Sequence, residues 1–301
     1  MNFKSTMIAS LLALALGACS SGVATEAKIP ADGARIGDSR TIVFIHGLYL
    51  TPRSWNHWKT FFEARGYTVH APAYPHFDQD PAAMRAAHPD PAVAALDLED
   101  SKAHLRAFIE GLPERPILIG HSMGGLQTQI FLSEGLAAGA IVLDSVAPYG
   151  VVSPLTAGKH GLDFLRSAWP ITSPFAGDDE PIMLSEEDFA WSFTNGVPAA
   201  EQSKIYAEHY VPASRRLARG ALNKDAAFVD FSKPRGPLLL VAGEKDRIVP
   251  PSIVQANFAE YDMAAGITEY KEFAGRGHFI AGMAGWEEVA GFALEWIERN
   301  R

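Results

Sequence analysis

A serine framed by glycines at the end of an apolar run is the feature with the most direct chemical meaning. Pro116-Ile117-Leu118-Ile119 leads into Gly120-His121-Ser122-Met123-Gly124-Gly125, and Leu126 and Ile130 then open a helical pattern. Gly-x-Ser-x-Gly between a strand and a helix makes a sharp, strained turn, and the glycines remove side chains that would clash there. The hydroxyl of Ser122 is thereby presented at the carboxyl edge of a sheet, where open α/β sheets bind ligands. The helix that follows aims its first backbone N–H groups at the same spot, so the Met123 N–H can stabilise a developing oxyanion. Such a serine needs a base. Among ten histidines, His278 follows the last β-rich run through Ala274-Gly275-Arg276-Gly277 and precedes a helical pattern, so its loop can reach back to Ser122. His121 flanks the serine, but neighbouring side chains diverge in such a turn, and packing is the better reading for it. The histidines show no metal-ligand spacing, and no metal or other cofactor is expected.

The elements that must position these groups are legible in the hydropathy pattern. Residues 41–45, 67–71, 117–120, 140–143, 238–242 and 267–273 are apolar, β-rich runs. Continuous apolar runs mark strands covered on both faces, as in a parallel sheet. Between them lie helical stripes, such as Leu105, Phe108, Ile109 and Leu112, or Val289, Phe292, Ala293, Trp296 and Ile297. Strands alternating with helices predict an α/β fold built on a doubly wound, mainly parallel sheet. Its core is expected over residues 41–147 and 235–301. The intervening residues 148–234 far exceed a normal strand-to-helix connection. They carry helical signals of their own: Ser185-Glu186-Glu187-Asp188 resembles an N-cap box, and Pro198 and Pro212 stand at or near helix starts. This insert reads as a helical cap, with Phe164, Trp169, Phe175, Trp191 and Phe193 as candidates for lining the site.

Composition narrows the partners. Hydrophobic residues make up 48% of the 301 and charged residues 20%, values ordinary for a globular protein. The formal net charge of −9, with no basic run, argues against nucleic acid. At the amino end, Lys4 precedes a short apolar run from Met7 to Leu16, well under the roughly 20 residues of a membrane span. A charged start, a short apolar core and small residues before a cut read as a signal peptide over residues 1–18. Cys19 is the sole cysteine, so no intramolecular disulfide can form. Residues 19–40 are mostly small and polar and read as a tether.

Two resemblances sharpen this reading. Leu16-Gly17-Ala18-Cys19 resembles the bacterial lipobox. That implies a lipoprotein carrying palmitate and related acyl chains at Cys19, touching the membrane only through that anchor. Ser20 resembles an outer-membrane sorting residue, implying a periplasm-facing or cell-surface location. Gly120-His121-Ser122-Met123-Gly124-Gly125, with His46-Gly47 after an early strand and Gly277-His278 near the end, resembles the capped α/β-hydrolase superfamily over residues 40–301. Within it, the chain is similar to the carboxylesterase, lactonase and cofactor-free haloperoxidase branch. The resemblance implies a second oxyanion donor at the Leu48 N–H and an acid at Asp246 in Gly243-Glu244-Lys245-Asp246. Asp144, ending another strand, is the rival acid; Glu244 reads as a solvated loop residue and His46 as a brace for its turn. The expected substrate is a small ester or lactone. Perhydrolysis, or cleavage of a C–C or amide bond, would use the same three residues, and a non-catalytic binding lipoprotein is the alternative of another class. One departure stands out: the superfamily's opening hairpin has no convincing counterpart before Thr41, which predicts a trimmed sheet of about six strands.

Overall fold

A computed structural model describes residues 25–30, 33–152, 156 and 158–301. The signal peptide and Cys19 lie outside the described residues. The elements in chain order are β1 (Thr25–Lys28), β2 (Thr41–Ile45), α1 (Asn56–Glu63), β3 (Thr68–His70), α2 (Pro81–Ala86), α3 (Pro91–Ala95), α4 (Leu98–Glu110), β4 (Ile117–His121) and α5 (Met123–Ser133). There follow β5 (Gly139–Leu143), α6 (Gly161–Thr172), α7 (Glu186–Ser192), α8 (Ala199–His209), α9 (Arg215–Gly220), β6 (Leu238–Gly243), α10 (Pro251–Glu260), β7 (Thr268–Phe273) and α11 (Trp286–Arg299).

The strands form one sheet in the order β1-β7-β6-β5-β4-β2-β3, parallel except at β1. This is the α/β-hydrolase fold. The central strands β2, β4, β5 and β6 are buried along their whole length. Their alternate residues feed two separate cores. Val43, Ile45, Leu118 and Val142 face one, with Leu105 and Ile109 of α4, Ile130 and Phe131 of α5 and Val254 of α10. Ile42, Phe44, Ile119 and Ile141 face the other, with Trp58 and Phe62 of α1 and Ala293, Trp296 and Ile297 of α11. Helices on both faces explain why the strands carry no polar alternation.

The six strands read from the sequence are present, and a seventh corrects the trimmed sheet. β1 arises within residues 19–40, so the tether is shorter than expected and Thr25–Lys28 belongs to the sheet. Three of its four residues are exposed. Apolar burial therefore does not hold it, and hydropathy gave no signal. Its place is set by antiparallel pairing with β7 and by Lys28, whose Nζ donates to the carbonyls of Phe258 (2.8 Å), Ala259 (3.0 Å) and Tyr261 (2.7 Å). These carbonyls close α10, where a cation is favoured by the helix dipole. Ile36 is also buried, and its N–H donates to the Asn300 carbonyl at 2.9 Å.

Among the described residues no helix is long and apolar enough to cross a membrane. Because one ammonium serves three carbonyls, Lys28→Met should destabilise the protein by about 1.5–3 kcal/mol. Urea unfolding of both proteins measures this, and equal midpoints would show that β1 is held by its ladder alone.

Candidate active site

Ser122 sits between β4 and α5 with φ 54° and ψ −118°, a backbone conformation that costs free energy in any residue with a side chain. Close contact on all sides enforces it. A Cβ at Gly120 would run into Thr128 Oγ1 and the Gly124 carbonyl, and one at Gly124 would run into the carbonyls of Ile45 and His46. The Ser122 N–H donates to the Leu143 carbonyl (3.0 Å), and its own carbonyl accepts from Gly125, Leu126 and Val146. The turn is thus tied to both β5 and α5.

The structure brings Ser122, His278 and Asp246 together. Ser122 Oγ and His278 Nε2 are 3.0 Å apart, and His278 Nδ1 lies 2.7 Å from Asp246 Oδ2. His278 and Asp246 are fully buried, and Ser122 is 5% exposed. Asp246 Oδ1 accepts from the backbone N–H groups of Ile248 (2.7 Å) and Val249 (2.9 Å). With Asp246 accepting at Nδ1, the neutral imidazole keeps its proton there and leaves Nε2 open to accept from the serine.

The other residues singled out from sequence are also placed. Gly47 packs against the serine: a Cβ on it would lie 3.2 Å from Ser122 Cβ and 2.8 Å from His121 Nδ1. Leu48 and Met123 therefore flank Ser122 from two turns, and neither backbone N–H has a backbone acceptor in the turns and loops described. His46 braces its turn. Its Nδ1 donates to the Gly47 carbonyl (2.9 Å) and its Nε2 accepts from the Tyr74 N–H (3.2 Å), while burial pushes its pKa down to about 4. His121 Nε2 donates to the His278 carbonyl (2.8 Å), linking the serine turn to the histidine loop. Burial, then the neighbouring His278, holds its pKa well below the ordinary histidine value. His121, Asp144 and His278 place ligand-type atoms within 4.8 Å of one another. However, both His278 nitrogens and His121 Nε2 already have partners, which leaves too few donors for a closed metal site.

Residues 42–292 match the description "Alpha/beta hydrolase family". The chain belongs to this family. No curated protein matches it in sequence. Among solved structures, this hydrolase is similar to tomato methylketone synthase I complexed with 2-tridecanone (15% identity, 87% of this chain and 99% of that one, TM-score 0.63). It is also similar to a pyrethroid hydrolase from Sphingobium faniae (18% identity, 86% and 98%, TM-score 0.61) and to polyneuridine aldehyde esterase (15% identity, 86% and 99%, TM-score 0.58). At these identities the likeness is one of fold.

The five aromatic residues read from the insert of this hydrolase part company. Phe164 lines an apolar cavity of about 320 Å³ beside Met123, together with Val146, Ile171, Ala218 and Val249. Phe193 is buried against the His278 ring, with centroids 4.8 Å apart. Trp191 has the guanidinium groups of Arg166 and Arg247 over its ring, 3.8 Å and 4.8 Å from the centroid. Phe175 instead faces solvent, 88% exposed, and Trp169 is 55% exposed at the border of a second cavity with Tyr49, Leu184 and Trp191. Asn195 was missed. Its Nδ2 donates to the Lys245 carbonyl, and its own carbonyl leaves no room for a Cβ at Gly277. The only sequence signal was that Asn195-Gly196 marks a turn.

Asp144, the rival acid, is fully buried at φ 45°, and its Oδ1 accepts from the Gly243 N–H (2.6 Å). Its Oδ2 has no donor among the described residues. Burial, and then the Asp246 charge beside it, holds its carboxyl well above the usual carboxylate range. Two adjacent carboxylates cannot both be satisfied there; a protonated Asp144 can donate to Asp246. A carboxyl whose folded pKa is raised stabilises the fold fully below its unfolded pKa of about 3.9, and that contribution is lost as pH rises through the folded value. Asparagine is permanently neutral and keeps an acceptor for Gly243. The stability of Asp144→Asn relative to wild type should therefore improve steadily as pH is raised above about 4. Urea unfolding of both proteins between about pH 4 and pH 8 tests this; a difference independent of pH would mean that Asp144 is ionised in the fold.

Proposed function

We propose that the protein is a serine hydrolase that cleaves carboxylic esters or lactones through an acyl-enzyme on Ser122. The observation that carries this reading is the buried, continuous path from Ser122 Oγ through His278 to Asp246, at 3.0 Å and 2.7 Å. Ser122 Oγ attacks the substrate carbonyl as His278 Nε2 takes its proton, and Asp246 stabilises the imidazolium that forms. The N–H groups of Leu48 and Met123 receive the negative charge on the carbonyl oxygen. His278 then returns the proton to the departing alkoxide, leaving the acyl group on Ser122. Water, deprotonated by the same nitrogen, attacks the acyl carbon and frees the carboxylic acid.

The cavity beside Met123 suits the acyl portion. Its lining is apolar apart from the hydroxyl-bearing Tyr149, Ser167 and Thr172 and holds no charged side chain, which favours an uncharged hydrocarbon group over a charged one. Helices α6 and α9, from the insert, supply one wall of it, and the insert is read as a cap over residues 148–234. A pyrethroid hydrolase and an esterase among the structural relatives are in keeping with ester cleavage on this scaffold. The amino-terminal segment is read as a signal peptide followed by a lipidated Cys19, which places the enzyme at a bacterial envelope membrane.

Ser122→Ala should lower p-nitrophenyl ester turnover by about 10⁴-fold or more, and Asp246→Asn by about 10⁴-fold with little change in KM. A fluorophosphonate probe should label wild type and spare Ser122→Ala. Near-normal turnover in purified Ser122→Ala would sink the serine-hydrolase reading, while a dead Asp144→Asn beside an active Asp246→Asn would move the acid to Asp144. For the anchor, a palmitate analogue fed to a bacterial host should label wild type and not Cys19→Ser; absence of label in wild type would remove the lipoprotein reading.

A further inference from the structure

Helix α6 has no buried residue, although half of it is apolar. Phe164, Ala168 and Ile171 lie along one side and face the cavity beside Met123. Leu162, Leu165 and Trp169 recur at i, i+3 and i+7 along the other side, 84%, 63% and 55% exposed, the last two also bordering a second cavity with Tyr49, Leu184 and Trp191, and Phe175 beyond the helix is 88% exposed. A run of large apolar groups this open to water marks a contact surface rather than ordinary surface variation.

Its position says what it meets. Ser167 Oγ donates to the Arg247 carbonyl (2.9 Å), and Arg247 approaches Asp163 at 3.7 Å. These contacts hold α6 at the loop after β6, the carboxyl end of the sheet. β1 runs antiparallel to β7 with Thr25 opposite Lys271, close to the carboxyl end of β7. The chain thus enters the sheet at the same end that carries α6 and Ser122. Only five residues separate Cys19 from Thr25, a reach of about 20 Å even when fully extended.

We propose that this exposed face of α6, with Phe175, docks onto the lipid leaflet that holds the Cys19 anchor. Its placement there rests on the anchor proposed above. The short leash keeps the carboxyl end of the sheet at the membrane, and α6 is the apolar surface at that end. The formal charge of −9 opposes binding to anionic headgroups, so contact is made by apolar insertion into a zwitterionic surface. The cavity rim then lies at the interface, where Tyr149, Val152 and Leu222 are exposed beside α6. Apolar esters dissolved in the leaflet can enter the cavity without crossing bulk water.

Trp169 is the one exposed tryptophan among the six, which makes it a reporter of lipid contact. The full-length, host-processed protein is reconstituted into phosphatidylcholine vesicles with or without brominated acyl chains. Brominated lipid should quench wild-type fluorescence at least twice as strongly as that of Trp169→Phe. Leu162→Ser combined with Phe175→Ser, two positions that line no cavity, should abolish the Trp169-dependent quenching while thermal unfolding stays the same. Replacing part of the lipid with phosphatidylglycerol should not strengthen the quenching. Equal quenching in wild type and Trp169→Phe, or quenching that survives the double substitution, would overturn the proposal, as would a vesicle-bound dimer cross-linked through α6. Palmitate label with no quenching would leave the anchor standing and remove the docking face; quenching without label would do the reverse.

Discussion

Everything around the site depends on how closely the Ser122 turn approaches the end of β2. Ser122 holds a left-handed backbone angle because β4, α5 and the turn after β2 meet with almost no clearance. Three glycines make that approach possible. Gly120 and Gly124 let the turn close on itself and on the carbonyls of Ile45 and His46, and Gly47 lets the second turn lie against Ser122 and His121. The same closeness sets Leu48 and Met123, which follow Gly47 and Ser122 in the chain, in the two turns that meet at the serine. A methyl group on any of these glycines would spread the turns and shift the Ser122 hydroxyl with them.

From that turn a line of buried polar groups extends through His278 and Asp246 to Asp144. Groups this deep in the protein are tolerated only when each is hydrogen-bonded and when charge is kept to a minimum. Asp246 meets the first condition with two backbone N–H donors on one oxygen and the imidazole on the other. Asp144 answers to the second, since burial and then Asp246 itself press its carboxyl towards the neutral form. The two acids that compete in the sequence therefore coexist in the fold with different work. One accepts at His278 Nδ1, and the other ties the end of β5 to the Gly243 N–H just ahead of Asp246.

What could be read from the chain alone follows from what carries a pattern. Six strands and the flanking helices announce themselves because burial on both faces demands apolar runs such as Ile117–His121 and Leu238–Gly243. Ser122 and His278 stand out because the turn geometry demands glycines beside them. β1 left no trace: Thr25–Lys28 is polar and exposed, and hydrogen bonds from Lys28 to carbonyls more than 200 residues away do not show in local hydropathy. Asn195 escaped for the same reason, since its partner at Lys245 is fifty residues distant.

The insert shows where hydropathy stops being informative. Phe164, Trp169, Phe175, Trp191 and Phe193 look alike in the sequence, as aromatic residues too numerous for a surface loop. In the fold they take up four situations: cavity wall, largely open solvent, a place against two guanidinium groups, and a packed contact with the His278 ring. The difference arises because α6 is a thin layer with one cavity beside Phe164, Ala168 and Ile171, a second beside Leu165 and Trp169, and most of its outer apolar surface open to solvent. A helix packed into a core needs one apolar stripe, and a second stripe on its outer side adds nothing to folding. Leu162, Leu165 and Trp169 therefore leave more than half of their surface outside the packing of α6, and burial of that surface must come from outside the fold.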